Sequence, residues 1–244
     1  MYISIKNTLK KLLPQKLLFS LEPKLRSVHH SLLFKGDKYY CPICHKSSKK
    51  LIKAHQQHFC PACGSYDRIR ILSHLIDEAI PSETHVLDFS PARPWFRYMN
   101  QIPWKKYEPT DLSDNFIAVY QYDITDLPHD ANTVDLILCF HILEHVENDI
   151  KAMESMFQTL KPGGIAWIQT PFKEGNIYED YSIKSPEERL IHFGQDDHVR
   201  IYSIQGLSDR LKSLGFDVEV LVFDENSKKD IYAVQRVIKA VKPI

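Results

Sequence analysis

Two cysteine turns, Cys41-Pro42-Ile43-Cys44 and Cys60-Pro61-Ala62-Cys63-Gly64, stand with fifteen residues between them and restrict this chain more than any other feature. A CPxC turn points two thiolates at one spot, and two such turns at this separation close a tetrahedral sulfur site. Four thiolates leave no open position, so the site is of the structural kind. Residues 39–67 hold too few apolar side chains to fold alone, whereas a structural Zn2+ supplies on the order of 10 kcal/mol of folding free energy. The sequence therefore predicts a zinc ribbon over 39–67 with Cys41, Cys44, Cys60 and Cys63 as ligands. His45, His55 and His58 lie close enough to substitute, but four cysteines already complete the shell.

The compartment follows from the same residues. Four of the five cysteines sit in CxxC pairs, and no apolar run approaches the roughly 20 residues that span a bilayer. The N-terminus lacks the apolar core and small-residue cleavage site of a signal peptide. These features point to the cytoplasm and to metal binding rather than disulfides. The formal charge is zero, yet residues 1–38 are basic, with Lys6, Lys10, Lys11, Lys16, Lys24, Arg26, Lys35 and Lys38 opposed by Glu22 and Asp37. Apolar Leu9, Leu12, Leu13, Leu17, Leu18, Phe19, Leu21 and Leu25 alternate with them. The pattern reads as short amphipathic helices broken at Pro14 and Pro23. Such an arm can lie on an anionic membrane surface, or pack on the body of the protein or on a second subunit.

From residue 68 to 244 helix and strand patterns alternate, as in a parallel sheet covered on both faces. Helices are expected over 68–79, 150–160 and 204–214. Strands are expected over 85–89, 106–110, 117–120, 134–139, 165–169, 218–223 and 232–237. The apolar run Val134-Asp135-Leu136-Ile137-Leu138-Cys139 suits the central position, and Lys161-Pro162-Gly163-Gly164 should close the helix before the next strand.

Three blocks now fall in order: Asp123-Ile124-Thr125-Asp126-Leu127-Pro128, Val134 to Val146 including His141-Ile142-Leu143-Glu144-His145, and Leu160-Lys161-Pro162-Gly163-Gly164. Over residues 84–222 the chain resembles the class I S-adenosylmethionine-dependent methyltransferases. The resemblance implies an α/β, Rossmann-like, doubly wound and mostly parallel seven-stranded sheet, S-adenosylmethionine as cofactor, and methyl transfer to an acceptor that the blocks do not identify. In such a sheet the ligand lies beyond the carboxyl ends of the strands where strand order reverses. The resemblance implies that Asp88 lies near the cofactor's amino acid portion and that Asp123 accepts from the adenine amino group, with Ile124 against the ring. Asp111 suits the ribose diol, with Glu108 as its alternative. Ser90 and Phe140 complete the expected crevice.

The first loop departs from the family. It is usually glycine-rich, because the backbone turns tightly beside the cofactor, but here it reads Asp88-Phe89-Ser90-Pro91-Ala92-Arg93-Pro94. The prolines remove N–H donors and restrict the turn, which leaves a scaffold without cofactor as an alternative. Methyl transfer is an in-line displacement that depends on positioning, and needs a base only when the acceptor must lose a proton. His141, just past a strand end, and His198, in a polar stretch with His192, Asp197 and Arg200, are the catalytic candidates. His141 to His145 also fits the H-x-x-E-H pattern of zinc proteases, but that pattern belongs on a helix within a protease fold. Cys139 has no cationic neighbour to activate it. A small molecule or a glycan precursor is the expected acceptor. Lys46, Lys49, Lys50, Lys53, Arg68 and Arg70 make a modest basic cluster, a slender footprint for the alternative of a nucleic-acid acceptor.

Overall fold

The computed structural model describes residues 15–54, 57–79, 83–113, 117–224 and 234–244. Leu9, Leu12, Leu13 and Pro14 of the expected arm, His55 and Tyr232 lie outside them. The chain divides into two compact units: Met1–Ala79 with Arg93–Tyr98 and Phe223–Gln235, and Ile80–Ala92 with Met99–Val222 and Arg236–Ile244.

In the first unit, α1 (Gln15–Leu33) is one helix that runs through Pro23. The expected break there does not occur. A proline inside a helix frees the carbonyl four residues back, here that of Phe19, and Arg97 Nη2 donates to it at 2.8 Å. The same guanidinium pairs with Glu22 at 3.0 Å and covers the Phe19 ring at 4.2 Å. The missing bond is thus replaced by a charged donor from α3 (Arg93–Met99). Leu25, Val28 and Leu32 of α1 are exposed. Two small antiparallel ladders follow, β1 (Lys35–Tyr40) with β2 (Ser47–Ser48) and β3 (Ile52–Ala54) with β4 (Gln57–Phe59). Buried His30 of α1 donates through Nε2 to the Ser47 carbonyl at 3.0 Å. Helix α2 (Asp67–Ala79) closes the segment.

The second unit is built on a six-stranded sheet of β5 (His85–Phe89), β6 (Lys106–Thr110), β7 (Val134–Phe140), β8 (Leu160–Gln169), β9 (Asp217–Phe223) and β10 (Gln235–Val241). Its spatial order is β9-β10-β8-β7-β5-β6, with β6, β5, β7 and β8 parallel and β10 antiparallel to β8. The chain steps from β5 to β6 on one side and returns to β7 on the other, so strand order reverses between β5 and β7. Every residue of β5 is buried, as a strand with neighbours on both sides requires.

The expected seventh strand, over 117–120, is not among the described strands. It makes one parallel bridge, Thr110↔Tyr120, and Val119 and Tyr120 both donate to the Pro109 carbonyl. Proline has no N–H to return, so the ladder stops after a single rung. Lys161 to Gly164 do not separate helix from strand either. Helix α4 (Asp149–Thr159) ends first, and β8 takes up pairing at Val134↔Leu160 and again at Leu136↔Ile165, with 161–164 bulging between. Leu87, Ile137, Cys139, Met153, Met156, Ile168, Leu207 and Ile238 are at the centre of the core. No helix among the described residues is long and apolar enough to cross a membrane.

Candidate functional site

The two cysteine turns repeat one geometry. Cys41 N donates to Lys46 O and His45 N to Cys41 O, and likewise Cys60 N donates to Ser65 O and Gly64 N to Cys60 O. The fifth residue of each turn is left-handed, His45 at φ 55° and Gly64 at φ 84°. Glycine suits this φ, whereas the space beside it is bounded only by the end of the flexible Arg26 side chain, whose Cζ would stand 2.9 Å from a Cβ. The four sulfurs converge within 4.8 Å, with Cys41–Cys63 at 3.7 Å and Cys44–Cys60 at 3.8 Å. Those separations exclude disulfides, and they fit the roughly 3.8 Å edge of a tetrahedron whose centre is about 2.3 Å from each sulfur. Ser65 N donates to Cys63 Sγ at 3.5 Å. His45 bonds Tyr40 and His58 lies beside Asp67, so neither competes for the sulfur cage.

At the reversal of strand order, the turn after β5 is made without glycine because Ser90 itself takes the left-handed conformation, φ 49°. Ser90 N donates to Thr110 O at 2.7 Å, and its hydroxyl donates to Asp111 Oδ1 at 2.6 Å. Ser113 donates to the other Asp111 oxygen at 3.0 Å. Asp111 is buried and held by two donors, with lone pairs to spare for further hydroxyls. Asp88, at the end of β5, accepts from Tyr107 OH at 2.8 Å. Burial, and then the Asp88 charge, push the Tyr107 phenol well up, so it stays a donor. Asp123 is exposed and accepts from Thr125 N and Oγ1 at 2.8 Å each, while Ile124 beside it is buried. Phe140 ends β7 in register with Gln169.

Glu108 is not placed for a ribose. It is 1% exposed and bonded by His85, by His129 at 2.9 Å and by Tyr122 OH at 3.1 Å, with Lys106 at 3.2 Å. Burial works to raise this carboxyl, but the bonds from His129, His85 and Lys106 together hold it at about 2. His85, Glu108 and His129 could in principle hold a cation, yet both carboxylate oxygens are already engaged.

His141 follows β7 in a left-handed conformation, φ 58°, and its N–H donates to Gln169 O at 2.7 Å. A non-glycine residue held there is strained, and such residues gather at functional sites. Its Nδ1 lies 3.0 Å from Glu144 Oε1, at ion-pair distance but outside hydrogen-bond geometry. Leu143–His145 is a single 3-10 turn, which removes the helical protease reading. The turn is fixed by Arg200, 0% exposed, which donates to the carbonyls of Leu143, Val146 and Glu147 and pairs with Glu179. The polar stretch therefore splits in role. Arg200 is a buried brace, and His192 is exposed and bonded to Tyr178 OH. His198 is buried against His145 with ring centroids 4.6 Å apart. Burial, and then His145, push the His198 imidazole below its ordinary value, so the ring is neutral near pH 7. Glu144 and His145 gather with His198 although the sequence singled out only His141 and His198. The H-x-x-E-H spacing was their one signal. Cys139 is fully buried and its thiol is pushed up, as expected of an inert strand residue.

Arg70, counted in the basic cluster, is buried and bonded to Asp67, to Ser65 O at 3.2 Å and to His58 O at 3.0 Å. It offers nothing to a phosphate.

A family model described as a methyltransferase domain matches residues 65–221, more than half of the chain. No curated protein matches the sequence. Among solved structures, a Bacillus halodurans chain described as a candidate methyltransferase superposes with a TM-score of 0.53 at 15% identity, over 72% of this chain and 99% of that one. An S-adenosylmethionine-dependent methyltransferase from Archaeoglobus fulgidus gives 0.52 at 17%, over 73% and 95%. Haemonchus contortus phosphoethanolamine N-methyltransferase 2, in complex with phosphomonomethylethanolamine and S-adenosylhomocysteine, gives 0.52 at 17%, over 71% of this chain and 52% of that one. These likenesses establish the fold, and the match to the family model establishes membership: the chain belongs to the methyltransferase-domain family.

Proposed function

We propose that the protein transfers a methyl group from S-adenosylmethionine to a small-molecule or glycan-precursor acceptor, and that Cys41, Cys44, Cys60 and Cys63 bind one structural Zn2+. The observation that carries the first reading is Ser90. By adopting the backbone conformation that glycine usually supplies, it turns the proline-bearing loop tightly at the switch point and holds Asp111 there. The residues fit the cofactor: Asp111 for the ribose hydroxyls, Asp123 and Ile124 for adenine, and Asp88, Ser90 and Phe140 around the remainder. When bound, the cofactor supplies an electrophilic methyl on a sulfonium. The chain's share is to hold the acceptor in line, exclude water and, at His141, accept a proton from an acceptor that must lose one. His198, within the same turn's cluster, supports that end of the crevice.

Isothermal titration of the zinc-loaded protein with S-adenosylmethionine and S-adenosylhomocysteine tests the reading. Micromolar binding is expected, weakened about tenfold or more in Asp123→Ala, the loss of one charge-assisted hydrogen bond. Absence of heat and of any thermal shift at millimolar cofactor would overturn it in favour of a scaffold.

A further inference from the structure

Methyl transfer alone does not call for what the turn after β7 contains. Glu144 is 1% exposed and His198 3%, and with His145 they bring one ligand atom each to within 4.8 Å of one another. Among the described residues neither carboxylate oxygen of Glu144 has a hydrogen-bond partner, nor has His198 Nε2, and His141 Nδ1 lies 3.0 Å from Glu144 Oε1 at ion-pair distance but outside hydrogen-bond geometry. A buried carboxylate that no hydrogen bond satisfies is costly unless a cation completes it. The outer contacts are those of ligating imidazoles. The His198 ring bonds the Phe193 backbone, and His145 Nδ1 lies 3.3 Å from Asp197 Oδ2, which leaves Nε2 of each ring with a lone pair to give. The cage is also braced. Val199 N donates to Glu144 O at 2.9 Å, and Arg200 grips the carbonyls on either side of the turn.

We propose that Glu144, His145 and His198 bind a divalent first-row cation such as Mn2+, and that its open positions take two adjacent oxygens of the acceptor. Two imidazoles and one carboxylate form a facial set that leaves coordination positions vacant for a substrate. Glu144 and His145 follow directly on β7, with His198 packed against His145, at the strand ends where the proposed cofactor crevice lies. The acceptor class narrows accordingly to chelating diols, either neighbouring sugar hydroxyls or a catechol. This last step rests on the methyltransferase reading, whereas the cation site stands on its own geometry.

Mn2+ is the right probe because a four-thiolate site disfavours it. Zinc-loaded full-length protein is titrated with Mn2+ and the free ion is followed by electron paramagnetic resonance. One Mn2+ per chain is expected, with affinity falling about tenfold or more in Glu144→Gln and in His198→Ala, and by a similar factor in the outer-contact variant Asp197→Asn. Circular dichroism of each variant establishes that it is folded. The site is refuted if the wild-type protein takes up no Mn2+ at millimolar concentration, or if folded Glu144→Gln and His198→Ala bind as tightly as wild type. Catechol should then lower the water relaxivity of bound Mn2+ by displacing inner-sphere water, and an unchanged relaxivity overturns the chelation step. Mn2+ uptake without S-adenosylmethionine binding would sink the methyltransferase reading and leave the cation site intact.

Discussion

Single residues decide this site by unusual means. Ser90 and His141 occupy left-handed conformations, which cost something on non-glycine residues, and each is anchored by a backbone hydrogen bond at 2.7 Å. Glu108 shows the opposite strategy, a buried charge fully surrounded by His85, Lys106, Tyr122 and His129. Its carboxyl sits at about 2 in the folded chain against an ordinary 4.5. A depressed carboxyl stabilises the fold in full above its unfolded value, and the contribution drains away as pH falls from 4.5 towards 2. Glu108→Gln should therefore be clearly less stable than wild type at pH 7, and most of the gap should be gone by pH 2.5. Urea midpoints of both proteins at the two pH values check this, and a gap that stays constant would contradict it.

Elements are held in place here by contacts distant in sequence, which sets what the sequence could disclose. Strands β5 and β6 were legible to the residue because their patterns are local, an apolar run and a short alternation. The continuity of α1 through Pro23 was not, since the compensating Arg97 lies 78 positions from Phe19. The absent seventh strand traces to Pro109, whose effect depends on which side of β6 the partner would join. Arg200 illustrates the same point at the site. In the sequence it belongs to the polar stretch around His198, yet it is the brace of the Leu143–His145 turn and also meets Glu179. Replacing it by Met leaves three interior carbonyls without their donor, while Glu179, 21% exposed, keeps Arg210. The expected cost is about 3 kcal/mol, since each buried acceptor left unpaired costs about 1–3 kcal/mol. Denaturant unfolding measures it, and a loss below about 1 kcal/mol would show that the brace is dispensable.

The whole molecule separates its two chemistries between its two compact units. The four cysteines of the sulfur cage belong to the first, while Asp88, Ser90, Asp111, Asp123, Ile124 and Phe140 belong to the second. The fifth cysteine, Cys139, is buried in the core of the second unit. Thiol counting therefore reads the proposed zinc site alone. With metal bound, few thiols should react with an aromatic disulfide reagent, because thiolates held by zinc are poor nucleophiles. After chelation four should react, since a ribbon this poor in apolar residues loses its structure with its metal, and the fifth should appear only in denaturant. S-adenosylmethionine titrated into the chelated protein should still bind, because none of its expected contacts lies in the first unit. Five reactive thiols on chelation would mean that removing zinc unfolds both units together. Four, with cofactor binding kept, would make the ribbon a separate module whose task is something other than holding the cofactor.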